Sequence, residues 1–183
     1  TGDFLKTWLQ NNWNVFWTEP NQQAREVAKE KGIVLHNNLG VYSNKKFDII
    51  TLWHVLEHVE NLSEFISQLD NLLSENGKLI VAVPNYKSDD ANYYKEFWAA
   101  FDVPRHLWHF SKTAIQKLSS DFDLQLEKVQ PMWFDSFYVS LLSEKYKTGK
   151  MNFVKGFLIG FTSNMVGMFK KEFSSHIYII KNK

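Results

Sequence analysis

Two almost uninterrupted apolar runs, Phe47-Asp48-Ile49-Ile50-Thr51-Leu52-Trp53 and Lys78-Leu79-Ile80-Val81-Ala82-Val83-Pro84, flank a segment with helical apolar spacing. No other feature constrains the fold as much. Runs this short and this continuous read as strands covered on both faces, as in parallel sheets. Between them Leu62, Phe65, Ile66, Leu69, Leu72 and Leu73 fall on one face of a helix, and Glu75-Asn76-Gly77 reads as a turn. Upstream the same alternation occurs. Asp3 to Gln10 has helical spacing, and Asn14 to Thr18 reads as a buried strand. Asn21 caps a helix through Lys31, with Ala24, Val27 and Ala28 as its stripe and Gly32 as its stop. Ile33 to Leu35 is a short strand. This strand–helix alternation predicts an α/β fold with a mostly parallel sheet and helices on both faces.

The pattern changes after Pro84. Residues 86–110 are crowded with aromatics and irregular. Ser111 caps a helix to Ser120, a strand covers 124–129, helices cover 137–146 and 151–169, and a last strand covers 174–181. No repeat or inter-domain linker interrupts the 183 residues, which suit a single domain, 1–183. Lys plus Arg (21) nearly balances Asp plus Glu (20), and a net charge of +1 gives no electrostatic reason to expect a nucleic-acid partner. The absence of cysteine excludes disulfides, thiolate zinc sites and thiol nucleophiles, and is compatible with a cytoplasmic setting. No apolar run reaches membrane-spanning length, and no signal peptide is visible.

In open α/β sheets ligands bind beyond the C-terminal ends of the strands. That rule selects Thr1-Gly2, Glu19-Pro20, Asn37 to Leu39, and Trp53-His54. A carboxylate at the end of the strand after a glycine loop can accept hydrogen bonds from both hydroxyls of a ribose. The competing reading of Glu19 is a surface acid favoured by the helix that follows. His54-Val55-Leu56-Glu57-His58 also matches an inverted zinc-protease pattern. Without a framework for a third ligand, pocket lining is the preferred reading and no metal is expected. Asp102-Val103-Pro104-Arg105-His106-Leu107-Trp108-His109-Phe110 gathers one arginine and two histidines. His106 and His109 are candidate bases. The structural alternative pairs Arg105 with Asp102 and packs the rings. The stretch from Tyr86 reads as a lid.

Taken together, Thr1-Gly2-Asp3-Phe4-Leu5, Glu19-Pro20-Asn21, Phe47 to Ile50 with His54 to Val59, Leu73 to Pro84, and Asp102 to Ser111 resemble the class I S-adenosylmethionine-dependent methyltransferases. The resemblance is good through Val129 and weaker beyond. It implies a Rossmann-like three-layer sandwich with an antiparallel last strand. Residues 1–84 would be the cofactor-binding half, and 85–183 the substrate loop, covering helices and final strands. It implies S-adenosyl-L-methionine as methyl donor, with Thr1 and Gly2 at the glycine motif and Glu19 and Pro20 at the ribose. Asn38 and Leu39 would approach the adenine, and Trp53 and His54 the methionine part. The acceptor would be a small molecule, a glycan or a lipid-linked group. Since the chain opens on Thr1 rather than Met, it reads as a piece of something longer. The strand before the glycine loop is missing from it, and most of the loop. Weak cofactor binding and self-association through exposed sheet edges are then expected. A non-catalytic Rossmann-like assembly module is the alternative.

Residues 137–173 hold six lysines and two glutamates, a balance of +4, among many Phe, Leu, Val and Met. Such a segment either covers a sheet with its lysines in solvent or lies against an anionic membrane.

Overall fold

In a computed structural model, residues 7–183 are described. They form two compact units, up to Lys45 and from Lys46 to Lys183.

In the first unit, residues 7–9 are helical. Helix α1 (Gln22–Glu30) begins where Asn21 Oδ1 accepts from Ala24 N at 3.1 Å. It ends before Gly32, whose φ is +77°. Buried Ala28 and Ile33 pack with Val15, Trp17 and Leu35. The runs expected as strands at 14–18 and 33–35 meet only in a parallel bridge between Thr18 and His36. The bridge is held by Glu19 N to His36 O (2.8 Å) and His36 N to Trp17 O (3.2 Å). A short 3-10 turn, Leu39–Tyr42, follows.

The second unit is built on a four-stranded mixed sheet in the order β1 (Phe47–Trp53), β2 (Leu73–Pro84), β4 (Ser175–Asn182), β3 (Leu124–Pro131). β1 and β2 are parallel, while β4 runs antiparallel to both β2 and β3. The antiparallel last strand therefore occurs as expected. The helix anticipated between β1 and β2 is divided into a 3-10 turn, Leu56–His58, and α2 (Leu62–Leu72). The turn expected at 75–77 is a bulge inside β2. Phe47 pairs with Leu73 but Ile49 with Lys78, so the residues between are extruded from the ladder.

Burial follows position in the sheet. Leu79, Val81, Ala82 and Val83 of interior β2 are buried. Edge strand β1, expected to be covered on both faces, buries only Leu52 and leaves Ile49 and Trp53 each 40% exposed. Leu56, Ile66, Leu79, Val81, Ile115, Leu124 and Ile180 surround one small space, so α2 and α4 (Lys112–Ser120) pack on the same face of the sheet.

The aromatic stretch after Pro84 is anchored rather than loose. Helix α3 (Asp89–Tyr94) and two 3-10 turns carry Ala91, Tyr94, Trp98, Ala99 and Ala100 into a core with Val139. Val139 belongs to α5 (Asp135–Thr148), which pairs with α6 (Phe153–Lys170). Buried Asp90 organises the cluster by accepting from Trp98 Nε1 (2.7 Å), Ser163 Oγ (2.6 Å) and Ser174 Oγ (2.7 Å). Satisfied donors of this kind are what permit a buried carboxylate.

Candidate functional site

The first unit brings two of the expected sites to one rim. Because Thr18 and His36 pair in parallel, the chain leaves both strands at the same end. Glu19-Pro20 and Asn37 to Leu39 therefore lie side by side. Glu19 is half-buried, and its Oε1 accepts from Asn21 N at 2.9 Å. Arg25 Nη1 donates to the carbonyls of Glu19 and Pro20 at 2.7 Å each, which fixes the corner into α1. Asn38 caps the 3-10 turn, with Oδ1 accepting from Gly40 N at 2.9 Å, and Leu39 is half-buried. Thr1 and Gly2 lie outside the described residues.

The second unit gathers its polar groups at the C-terminal end of β1. Trp53 closes the strand, and His54 takes a left-handed conformation, φ +52°. Side chains avoid this region unless the surroundings enforce it. Here His54 N donates to Ala82 O (3.0 Å) and its Nδ1 meets Glu57 Oε1 at 3.2 Å. Its Nε2 stands 3.7 Å from Asp135 Oδ2, and Asp135 also accepts from Ser175 Oγ. Burial opposes protonation of His54. The Glu57 hydrogen bond and the charges of Asp135 and Glu57 outweigh it and raise the pKa.

The Pro-Arg-His loop is clamped onto this turn. Leu107 N donates to Glu57 O at 2.8 Å, Trp108 Nε1 to Val59 O at 2.7 Å, and His58 Nδ1 to Arg105 O at 3.0 Å. Arg105 pairs with Asp102 at 2.6 Å, as the structural reading of this loop expects. His106 Nδ1 lies 2.8 Å from Ala100 O, and a carbonyl can only accept, so Nδ1 carries the proton. That leaves the Nε2 lone pair available, 3.9 Å from Asp102 Oδ2. Burial is the main cause of its lowered pKa. His109 uses Nε2 toward Phe101 O at 2.9 Å, leaving Nδ1 as its acceptor. The His58 and His106 rings meet edge to face with centroids 4.6 Å apart, and His106 and His109 are 6.5 Å apart.

Glu57 is the residue whose weight the sequence understated. It is 1% exposed, and its Oε2 has no hydrogen-bond partner among the described residues. Glu57, His58 and His106 each offer a ligand atom within 4.8 Å of the other two, so they are the residues that could share a cation. Asp135 carried no sequence signal at all. It reaches His54 because β4, returning antiparallel, fixes the turn between β3 and α5 through Ser175.

A mixed sheet with helices, a parallel β1–β2 pair and an antiparallel last strand is an α/β arrangement of the Rossmann-like kind. The chain belongs to the family described as methyltransferase domain, which matches residues 1–129. It is 29% identical over 96 residues to an uncharacterized methyltransferase of Alkaliphilus oremlandii, covering 49% of this chain and 44% of that protein. It is 26% identical over 125 residues to a ubiquinone biosynthesis O-methyltransferase of Rickettsia felis, covering 62% and 51%. The chain thus spans about half the length of the curated relatives it matches. Among solved structures, an SAM-dependent methyltransferase from Archaeoglobus fulgidus superposes with a TM-score of 0.57 at 14% identity, covering 100% of this chain and 81% of that one. This likeness speaks for the fold alone.

Proposed function

We propose that this chain carries out its part of an S-adenosylmethionine-dependent methyl transfer in which Glu19 holds the ribose of the donor. The observation that supports this most is the Thr18–His36 bridge, which brings the backbone at Glu19 and the loop of Asn38 and Leu39 to one rim. A carboxylate next to a half-buried apolar side chain and an amide suits a sugar diol joined to a flat base. When bound, the sulfonium supplies an activated methyl group. In the second unit Trp53 and His54 are proposed for the methionine part of the donor, and in the first unit Thr1 and Gly2 for the glycine motif.

The acceptor is proposed as a small molecule, a glycan or a lipid-linked group. For a hydroxyl acceptor His106 is the better base. Its free Nε2 is an acceptor held by the Ala100 bond, and its lowered pKa keeps it unprotonated near neutral pH. His109 is the second candidate. Methyl transfer otherwise needs mainly alignment of the two reactants, which a clamped loop provides.

Calorimetric titration of the full-length protein with S-adenosylhomocysteine and with NAD tests the reading. Binding of the first and not the second is expected, with Glu19→Ala weakening it at least about tenfold, as loss of a charged hydrogen-bond acceptor does. Preference for NAD, or unchanged affinity in Glu19→Ala, would reject it.

A further inference from the structure

Helix α6 is amphipathic in the reverse sense. A surface helix ordinarily turns its apolar stripe inward and its polar face to water. α6 instead buries Gly156, Gly160, Ser163, Asn164 and Gly167. These small and polar residues let it lie tightly on its neighbours. A Cβ at Gly160 would stand 2.8 Å from Phe137 Cα, and one at Gly156 would stand 3.0 Å from Leu141 Cα. Ser163 donates to Asp90, and Asn164 Nδ2 donates to Trp133 O at 2.8 Å. The inward face is therefore taken up by close packing and by these hydrogen bonds, although Asn164 Oδ1 has no partner among the described residues.

The outward face carries Phe153, Val154, Phe157, Leu158, Phe161 and Phe169, all exposed. Spacings of three, four and eight residues put them along one side of the helix. Phe153, Val154 and Phe169 are 68%, 72% and 82% exposed. Phe157 stacks on Phe137 of α5 and on Phe161, which joins these three rings, and exposed Met165 and Met168 lie between Phe161 and Phe169. Over 18 residues such a strip runs about 27 Å. Contiguous exposed apolar surface of this extent marks an interaction site.

Charge indicates what covers it. Lys145, Lys147 and Lys150 stand at the α5–α6 connection, and Lys170 and Lys171 at the other end of α6. Lys147 lies over the Tyr93 ring at 5.1 Å, while Lys145, Lys150, Lys170 and Lys171 are in no ion pair or cation–π contact among the described residues; Lys155, by contrast, pairs with buried Glu144 at 3.1 Å. An apolar strip flanked by unpaired cations at both ends matches hydrocarbon bordered by anionic headgroups. A second copy stacked on the same face would bring lysines against lysines at each end. No helix among the described residues is long and apolar enough to cross a membrane, so the fitting orientation is in the plane of the bilayer.

We propose that the outer face of α6 lies flat on an anionic lipid bilayer, its phenylalanines among the acyl chains and the lysines at its two ends on the headgroups. The proposal stands independently of the identity of the methyl acceptor.

Co-sedimentation with vesicles of phosphatidylcholine, with and without phosphatidylglycerol, tests it on the full-length protein. Binding to the anionic vesicles is expected to exceed that to neutral ones by at least about tenfold and to weaken as salt rises. The combined Phe153→Ser, Val154→Ser, Phe169→Ser variant alters only highly exposed side chains, so its circular dichroism and melting should match the parent while vesicle binding falls at least about tenfold. Lys170→Glu with Lys171→Glu should erase the preference for anionic vesicles. No sedimentation with either vesicle, or a triple variant that binds as well as the parent, would overturn the proposal. So would a dimer in analytical ultracentrifugation that the triple variant abolishes while neither vesicle binds.

Discussion

His106 and Gly160 illustrate how little of a residue's role is carried by its type. His106 is a base candidate because a single backbone carbonyl, that of Ala100, fixes which nitrogen holds the proton. With a hydroxyl acceptor, His106→Asn should lower kcat by about 10²–10⁴ with little change in KM, as loss of a general base does. His109→Asn should have the smaller effect. The acid limb of the parent's pH–rate profile should fall below the ordinary imidazole value, because burial lowers the His106 pKa. Gly160 is required for a different reason. A methyl group there would meet backbone atoms, Phe137 Cα and N and Ser136 O, at 2.8–2.9 Å, and backbone cannot swing aside. Gly160→Ala should therefore cost about 1–3 kcal/mol in urea unfolding, despite the better helix propensity of alanine. The sequence offers both residues as candidates, His106 as a base and Gly160 as a point of close helix contact, without fixing what either one meets. His106 was found there as one of two histidines in a loop, and the choice between them needed their carbonyl partners.

Secondary elements show where periodicity carries the answer and where it does not. α1, α2 and α4 lie close to the spans their stripes indicate, with Asn21 and Ser111 as the caps expected, because those signals are local. β1 and β2 were equally plain as apolar runs. Their neighbours were not plain: β1 is an edge of the sheet and half-exposed, while β2 is buried. The run 14–18, just as apolar, reduces to one bridge, because a strand exists only by virtue of a partner in register. An exposed apolar edge invites pairing with another chain. Ile49→Lys, on the exposed part of β1, should reduce any concentration-dependent association seen by light scattering and leave the melting temperature nearly unchanged. Association undiminished by this change would place the contact elsewhere.

At the scale of the whole molecule, buried histidines tie stability to pH. His176 is fully buried in β4, its Nε2 accepting from Phe173 N at 3.3 Å, so the folded protein holds it neutral. Burial, reinforced by nearby Lys112, pushes its pKa down to about 4. The unfolded chain binds this proton first as pH falls, so the stabilisation is complete above about pH 6.5 and is lost between there and about pH 4. A shift of this size corresponds to roughly 3 kcal/mol. His106 acts with the same sign. His54, with its raised pKa, acts oppositely and contributes below its unfolded value. Urea unfolding should show stability falling from pH 7 to pH 4.5, and His176→Gln should flatten that slope; an unchanged slope would assign it to other groups.

The sequence by itself determined the strand–helix alternation from Phe47 onward, the helix caps, the placement of His54 at the end of a strand, and the family. All of these are written in runs of neighbouring residues, where period and capping act over a few positions. Only the tertiary structure decided that Glu57 is buried, that Asp135 approaches His54, and that α6 turns its phenylalanines outward. Each of those depends on what another part of the chain does with its backbone: a clamped loop, a returning antiparallel strand, or a neighbouring helix close enough to demand glycine. Burial is a property of surroundings, and residues distant in sequence supply them.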